Sequence, residues 1–166
     1  GARGCGKAIT ALLDASGALA LDTQETRGLV DPAHPARVGA VRARAMQEAD
    51  LVLVVGRKLD YQVAYGSPAV FRHARFVRIA DHADELRDNR RGEVELLADP
   101  ALALQALADA LGQPSKALDR DWTQGLRAEH ERRAAKHAGS LAKAEPGRDG
   151  HMHPNRILGA LREVLA

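Results

Sequence analysis

Glycines 1, 4 and 6 stand at the head of the chain, immediately before an amphipathic stretch. Glycines so placed let backbone N–H groups approach a phosphate at a helix N-terminus, and they serve a plain turn needing positive φ equally well. Arg57, Lys58 and Asp60 follow directly on the apolar run Leu51–Val55 and its closing Gly56. Cations at a strand end can hold an anion, or simply stand in water. His34, between Ala33 and Pro35, could act as a base near neutral pH or order its loop. Cys5 lies at a helix start, where a thiol pKa can fall, but no histidine stands near it in sequence. His151 and His153 flank Met152, and His130 and His137 lie seven apart, without a cysteine or carboxylate completing a metal set. There is no G-x-x-x-x-G-K-[ST], no G-x-S-x-G and no nucleophile-plus-base pattern. The chain carries no self-sufficient catalytic apparatus.

These residues need a frame. Five uninterrupted apolar residues, Leu51–Val55, suit a parallel strand covered on both faces. In open α/β sheets ligands bind just past the carboxyl ends of strands, where Gly56 and its charged followers stand. Further strands are expected at Ala18–Leu21, Arg75–Ile79 and Val94–Leu97. Helices are expected after Gly6 with a stop at Gly17, at Ala36–Glu48, near Pro68–His73, and as one turn at Asp84–Asp88. Asp99-Pro100 opens another by its cap and its first-turn proline, and Gly112 closes it. The alternation implies an α/β, Rossmann-like, doubly wound parallel sheet. No strand precedes Gly1, so the first strand is read as missing and both ends as cut from a longer protein.

From Ser115 the character changes. Leu118–Lys143 is helical by propensity and heavily charged, with a thin stripe of Trp122, Leu126 and Leu141. Ala144–His153 reads as a linker, and Pro154 starts an amphipathic helix. The expected organisation is a domain at 1–114, a charged connector and linker at 115–153, and the first helix of a following domain at 154–166.

Of the 166 residues 45% are hydrophobic and 28% charged, with 24 basic against 22 acidic side chains interleaved. No basic stripe emerges and aromatics are only 3%, which argues against nucleic-acid binding. No apolar run reaches the ~20 residues of a membrane span. The single cysteine excludes an internal disulfide and fits a reducing, cytoplasmic setting.

The order of pieces resembles a known family. It runs from the glycine turn and helix through Thr23-Gln-Glu-Thr-Arg-Gly-Leu-Val30, Asp31-Pro-Ala-His-Pro35 and Gly39. Then come Ala49-Asp-Leu-Val-Leu-Val-Val-Gly-Arg-Lys-Leu-Asp60, Ala74-Arg-Phe-Val-Arg-Ile-Ala-Asp81, Asn89, and Ala98-Asp99 before a leucine-rich helix. Over Gly1 to Leu111 this is similar to the central domain of thiamine-diphosphate-dependent enzymes: acetolactate synthase, benzaldehyde lyase, oxalyl-CoA decarboxylase and related 2-keto-acid decarboxylases. The resemblance implies a three-domain subunit, dimeric or tetrameric when intact. It places the activating glutamate on a pyrimidine-binding first domain, and a Gly-Asp-Gly…Asn motif for Mg²⁺ and diphosphate on the third. Neither is in this chain, and Gly147-Arg-Asp-Gly150 is interrupted by arginine. Some members hold FAD or ADP here; by position the contacts fall at Gly1, Ala2, Arg27, Gly28, Gly56, Lys58, Asp81 and Asp99.

Two positions depart from the family pattern. Lys58 stands where arginine is common, which keeps charge and loses the fork. Ala80 stands where an acidic residue would bind a ribose hydroxyl, and Asp81, one residue on, faces the other side of a strand. Two other readings compete: a stand-alone NAD-, FAD- or ADP-binding module, as in NAD-dependent deacylases, and a purely structural interaction domain.

Overall fold

The computed structural model describes residues 2–23, 26–112, 120–143 and 151–165. Three strands form a parallel sheet in the order β1 (Leu51–Val55), β2 (Arg75–Ala80), β3 (Val94–Leu97). Leu51 pairs with Arg75 and Val55 with Ile79; Val77 pairs with Val94 and Ala80 with Leu97. The fold is thus α/β with a parallel sheet flanked by helices, as the alternation implied. The centre is β2, however. β1 takes an edge, and among the described residues its second edge has no ladder partner.

Helices cover both faces. α1 (Gly6–Ser16) ends on Gly17 at φ 68°, whose N–H donates to the Leu13 carbonyl. α4 (Pro100–Leu111) starts where Asp99 accepts the Leu102 N–H at 2.9 Å and stops at Gly112. Together they bury Ala2, Cys5, Ala8 and Leu104 against Ile79. The opposite face packs Met46, Val54, Leu59, Val63, Phe71, Ala74 and Phe76, with Phe71 edge-on to Phe76 at 5.2 Å.

Three local expectations fail. Ala18–Leu21 forms no ladder. Ala20 makes a single parallel bridge to Arg37, exchanging hydrogen bonds with Ala36 and Val38. That bridge engages the backbone of residues 36–38, so the helix expected from Ala36 starts as a 3₁₀ turn at Gly39–Val41 and becomes α2 at Arg42–Glu48. Residues 68–73 form turns, not a helix. Instead Asp60 caps a 3₁₀ segment at Tyr61–Gly66, which is interrupted by positive φ at Ala64 (49°) and Tyr65 (53°). One turn does form nearby, as α3 (Ala83–Leu86).

A buried arginine binds the segment after α3 to the sheet. Arg78, in β2, is 1% exposed. Its Nη1 and Nη2 meet the Asp88 carboxylate at 2.6 and 3.0 Å, and it also donates to the carbonyls of Glu85, Leu86 and Arg90. Asp88 in turn accepts the Leu59 N–H, and Asn89 donates to the Leu59 carbonyl. Arg90 lies over the Phe76 ring and donates to the carbonyls of Gly66 and Ala74. These bonds fix the turn that follows β1.

α5 (Arg120–Ala142) rests by Trp122 and Leu126 on Val38, Val41 and Ala45. Polar contacts flank that seat. Arg44 pairs with Glu48 and Glu129, Trp122 Nε1 donates to Glu48, and His130 Nδ1 accepts the Ala40 N–H at 3.1 Å. α6 (Pro154–Leu165) touches α5 and leaves Ile157, Leu158, Leu161, Val164 and Leu165 exposed. Most of the expected 144–153 linker, with Gly147–Gly150, lies outside the described residues. No helix among the described residues is long and apolar enough to cross a membrane.

Candidate functional site

Because the strands are parallel, their carboxyl ends share one edge of the sheet. Gly56 ends β1 with φ 57°, and its N–H donates to the Ile79 carbonyl at 2.8 Å. Lys58 follows, exposed, while Leu59 turns inward at 1% exposure. Ala80, ending β2, is buried at 1%, and the next residue, Asp81, is exposed. Asp99 follows β3. The edge therefore brings together Gly56, Lys58, Asp81 and Asp99.

The remaining residues named from sequence lie elsewhere or are otherwise engaged. Gly1 is outside the described residues. Ala2 is 4% exposed and packs in the apolar core with Cys5 and Ala8. The Asp99 carboxylate caps α4. Gly28, at φ 85°, borders a shallow, open depression with Gly4, Gly6, Lys7, Thr10 and Asp14. Arg27 is exposed beside it.

Gly6 is fixed by a close approach: a Cβ there would lie 2.4 Å from the Leu29 carbonyl oxygen. That oxygen is backbone and has no side-chain freedom to yield. Gly6→Ala is expected to cost about 1–3 kcal/mol, as overpacking does; an unchanged urea midpoint would show that the 28–29 loop is not seated on α1. Lys58→Ala, by contrast, is expected to shift stability by less than about 0.5 kcal/mol, as exposed substitutions do. A larger loss on thermal melting would mean that Lys58 has a structural partner.

His34 proves to be a loop organiser. Its Nδ1 accepts the Ala36 N–H at 3.1 Å and its Nε2 meets Asp14 at 3.2 Å, so both ring nitrogens are engaged. Burial, with the Asp99 charge adding to it, pushes the Cys5 thiol up, away from a reactive thiolate. Among the described residues no three His, Cys, Asp or Glu side chains gather to hold a metal.

Sequence reasoning missed Arg42; of the Arg57, Lys58 and Asp60 group, Arg57 and Asp60 pair with each other. Arg57 Nη2 binds Asp60 at 2.8 Å, and Arg42 Nη2 donates to the Gln62 carbonyl at 3.1 Å from α2. Burial lowers the Arg42 guanidinium from its ordinary value, and the charges of Arg57 and Arg27 add to that effect, against opposing Asp22 and Asp60. The signal available in sequence was only that Arg42 sits one helix length before β1.

The fold and its strand-end edge define a parallel α/β domain of the layered, ligand-edge type. More narrowly, the chain belongs to the thiamine pyrophosphate enzyme central-domain family, whose model matches residues 1–107. It is similar to 2-hydroxyacyl-CoA lyase 2 of Caenorhabditis elegans, 25% identical over 143 residues, or 84% of this chain and 22% of the relative. It is similar to 2-hydroxyacyl-CoA lyase 1 of Mus musculus, 38% identical over 80 residues, covering 48% and 14%. Oxalyl-CoA decarboxylase of Escherichia coli (strain K12) is 25% identical over 140 residues, covering 84% and 24%. The chain thus spans about a quarter or less of the length of these relatives.

Proposed function

We propose that this chain is the middle domain of a thiamine-diphosphate-dependent enzyme that cleaves or forms a carbon–carbon bond next to a carbonyl. In that reading 1–114 is the central domain, 115–153 a connector and 154–166 the start of a diphosphate-binding domain. The pyrimidine-binding and diphosphate-binding domains flank it in the same polypeptide and carry the cofactor and its Mg²⁺. The one observation that carries this is the family match over residues 1–107. When bound, thiamine diphosphate supplies an electron sink for the carbanion left on bond cleavage. This chain's own residues would shape the domain and its interfaces.

The names of the relatives favour a lyase or decarboxylase acting on coenzyme A thioesters over acetolactate synthesis. A nucleotide crevice belongs to the same reading, at the shared edge of Gly56, Lys58, Asp81 and Asp99. Ala80, and the engagement of Asp99 in a cap, leave it few acceptors for a ribose. The test is turnover by the intact enzyme. A 2-hydroxyacyl-CoA or oxalyl-CoA should be consumed only with thiamine diphosphate present, and pyruvate should not be condensed. Acetolactate formation as the main activity would favour the synthase instead, and cofactor-independent turnover would remove the reading altogether.

A further inference from the structure

Both backbone polar groups of Ala40 are held from α5. His130 Nδ1 accepts the Ala40 N–H at 3.1 Å, and Arg133 Nη1 donates to the Ala40 carbonyl at 3.3 Å. Ala40 lies in the 3₁₀ turn Gly39–Val41, and Val41 is part of the apolar seat beneath Leu126. These two bonds therefore fasten α5 one helical turn beyond that seat. An imidazole nitrogen accepts a hydrogen bond only while it carries no proton. The bond to Ala40 requires a neutral His130 with its proton on Nε2. A proton added to Nδ1 removes the acceptor and sets one N–H against another.

The charged groups of the seat come from both sides. On α5, Arg127 and Arg133 stand three residues either side of His130, one turn away along the helix. Arg127 Nε is buried there without an acceptor among the described residues. Glu129 is already paired with Arg133 and with Arg44 of α2, and Glu131 is exposed. Across the contact, Glu48 of α2 pairs with Arg44, and Arg37, ahead of the 3₁₀ turn, pairs with Asp22. Gly159 of α6 approaches α5 at Leu141, three turns further on. His34 makes the contrast. Its Nδ1 likewise accepts a backbone N–H, from Ala36, but its Nε2 faces Asp14, which can pair with a charged ring. Among the described residues no carboxylate pairs with His130, so a charged ring would stand in the seat without a counter-ion.

We propose that the attachment of the connector helix α5 is gated by protonation of His130. Above the window in which imidazoles change charge, the ring accepts from Ala40 and the helix is seated; below it, the bond is lost and α5 loosens while the sheet stays folded. This device goes beyond the reading of the chain as an enzyme's middle domain and does not rest on it.

The test uses the full 166-residue chain, compared at about pH 7.5 and about pH 5.5, on either side of the histidine window. Long-range proton–nitrogen NMR spectra should show His130 Nδ1 unprotonated at the higher pH. Amide hydrogen exchange, corrected for its intrinsic pH dependence, should show protection over residues 126–133 falling about tenfold at the lower pH, the worth of one net hydrogen bond. Protection in β2 should hold. His130→Asn, whose amide oxygen can replace Nδ1 at either pH, should abolish the fall, and exposed His137→Gln should keep it. If His130→Asn loses its native circular dichroism, the ring spectra and the exchange step of the parent decide. A protonated Nδ1 at the higher pH, unchanged protection over 126–133, or an equal fall in β2 overturns the proposal, as does a fall that persists in folded His130→Asn.

Discussion

Arg78→Met is expected to destabilise the domain by about 3–5 kcal/mol, the usual cost of removing one partner from a buried ion pair. The guanidinium is 1% exposed, and its partner Asp88 is only 10% exposed. Its removal leaves the Asp88 carboxylate without its cation and frees the carbonyls of Glu85, Leu86 and Arg90 together. Methionine fills the space and accepts none of those roles. Urea unfolding followed by far-ultraviolet circular dichroism measures the loss. The same experiment on Arg78→Lys separates charge from geometry: a point charge cannot reach five acceptors, so it should recover only part of the stability. A parent-like midpoint for Arg78→Met would show that the strap after α3 holds without the arginine.

Val54→Asp should be worse still. Val54 points into the cluster of Met46, Leu59, Val63, Phe71, Ala74 and Phe76. Its neighbours offer a carboxylate no donor, so the group would be buried and unpaired. A loss above ~4 kcal/mol is a large fraction of the 5–15 kcal/mol typical of a small domain. The expected result is a chain without a cooperative melting transition. An aspartate variant that melts near the parent would mean that β1 faces water on both sides.

Periodicity and capping were enough to place much of this fold. Leu51–Val55 and Val94–Leu97 stand where the apolar runs put them, and β2 runs one residue past its expected end. Asp99, Pro100 and Gly112 bound α4 by local chemistry alone, as Gly17 does for α1. The failures are non-local. Whether Ala18–Leu21 becomes a strand depends on a neighbour beyond the next loop, and what it found was Ala36–Val38. The edge position of β1 is likewise a matter of pairing, which a five-residue run cannot reveal.

The candidate site was less legible for the same reason. Gly56 and Lys58 could be placed because strand ends are local. Asp99 reads equally as a ligand and as a cap, and its hydrogen bond to Leu102 shows the cap. Ala2 looked like part of a glycine turn and is core. Arg78 left a trace in sequence that alternation would have exposed. It shares the parity of Phe76 and Ala80, both buried, so its side chain had to enter the interior and find acceptors there.

The seat of α5 gives this protein a built-in reporter. Trp122 is the single tryptophan in the chain, and it sits where α5 meets Val38, Val41 and Ala45, with its indole N–H on Glu48. Its intrinsic fluorescence therefore registers detachment of α5, whereas the helical ellipticity of α1 and α4 follows collapse of the sheet. If the two optical probes give coincident denaturation curves, α5 is part of the cooperative unit; an earlier emission change would mean that the connector leaves first.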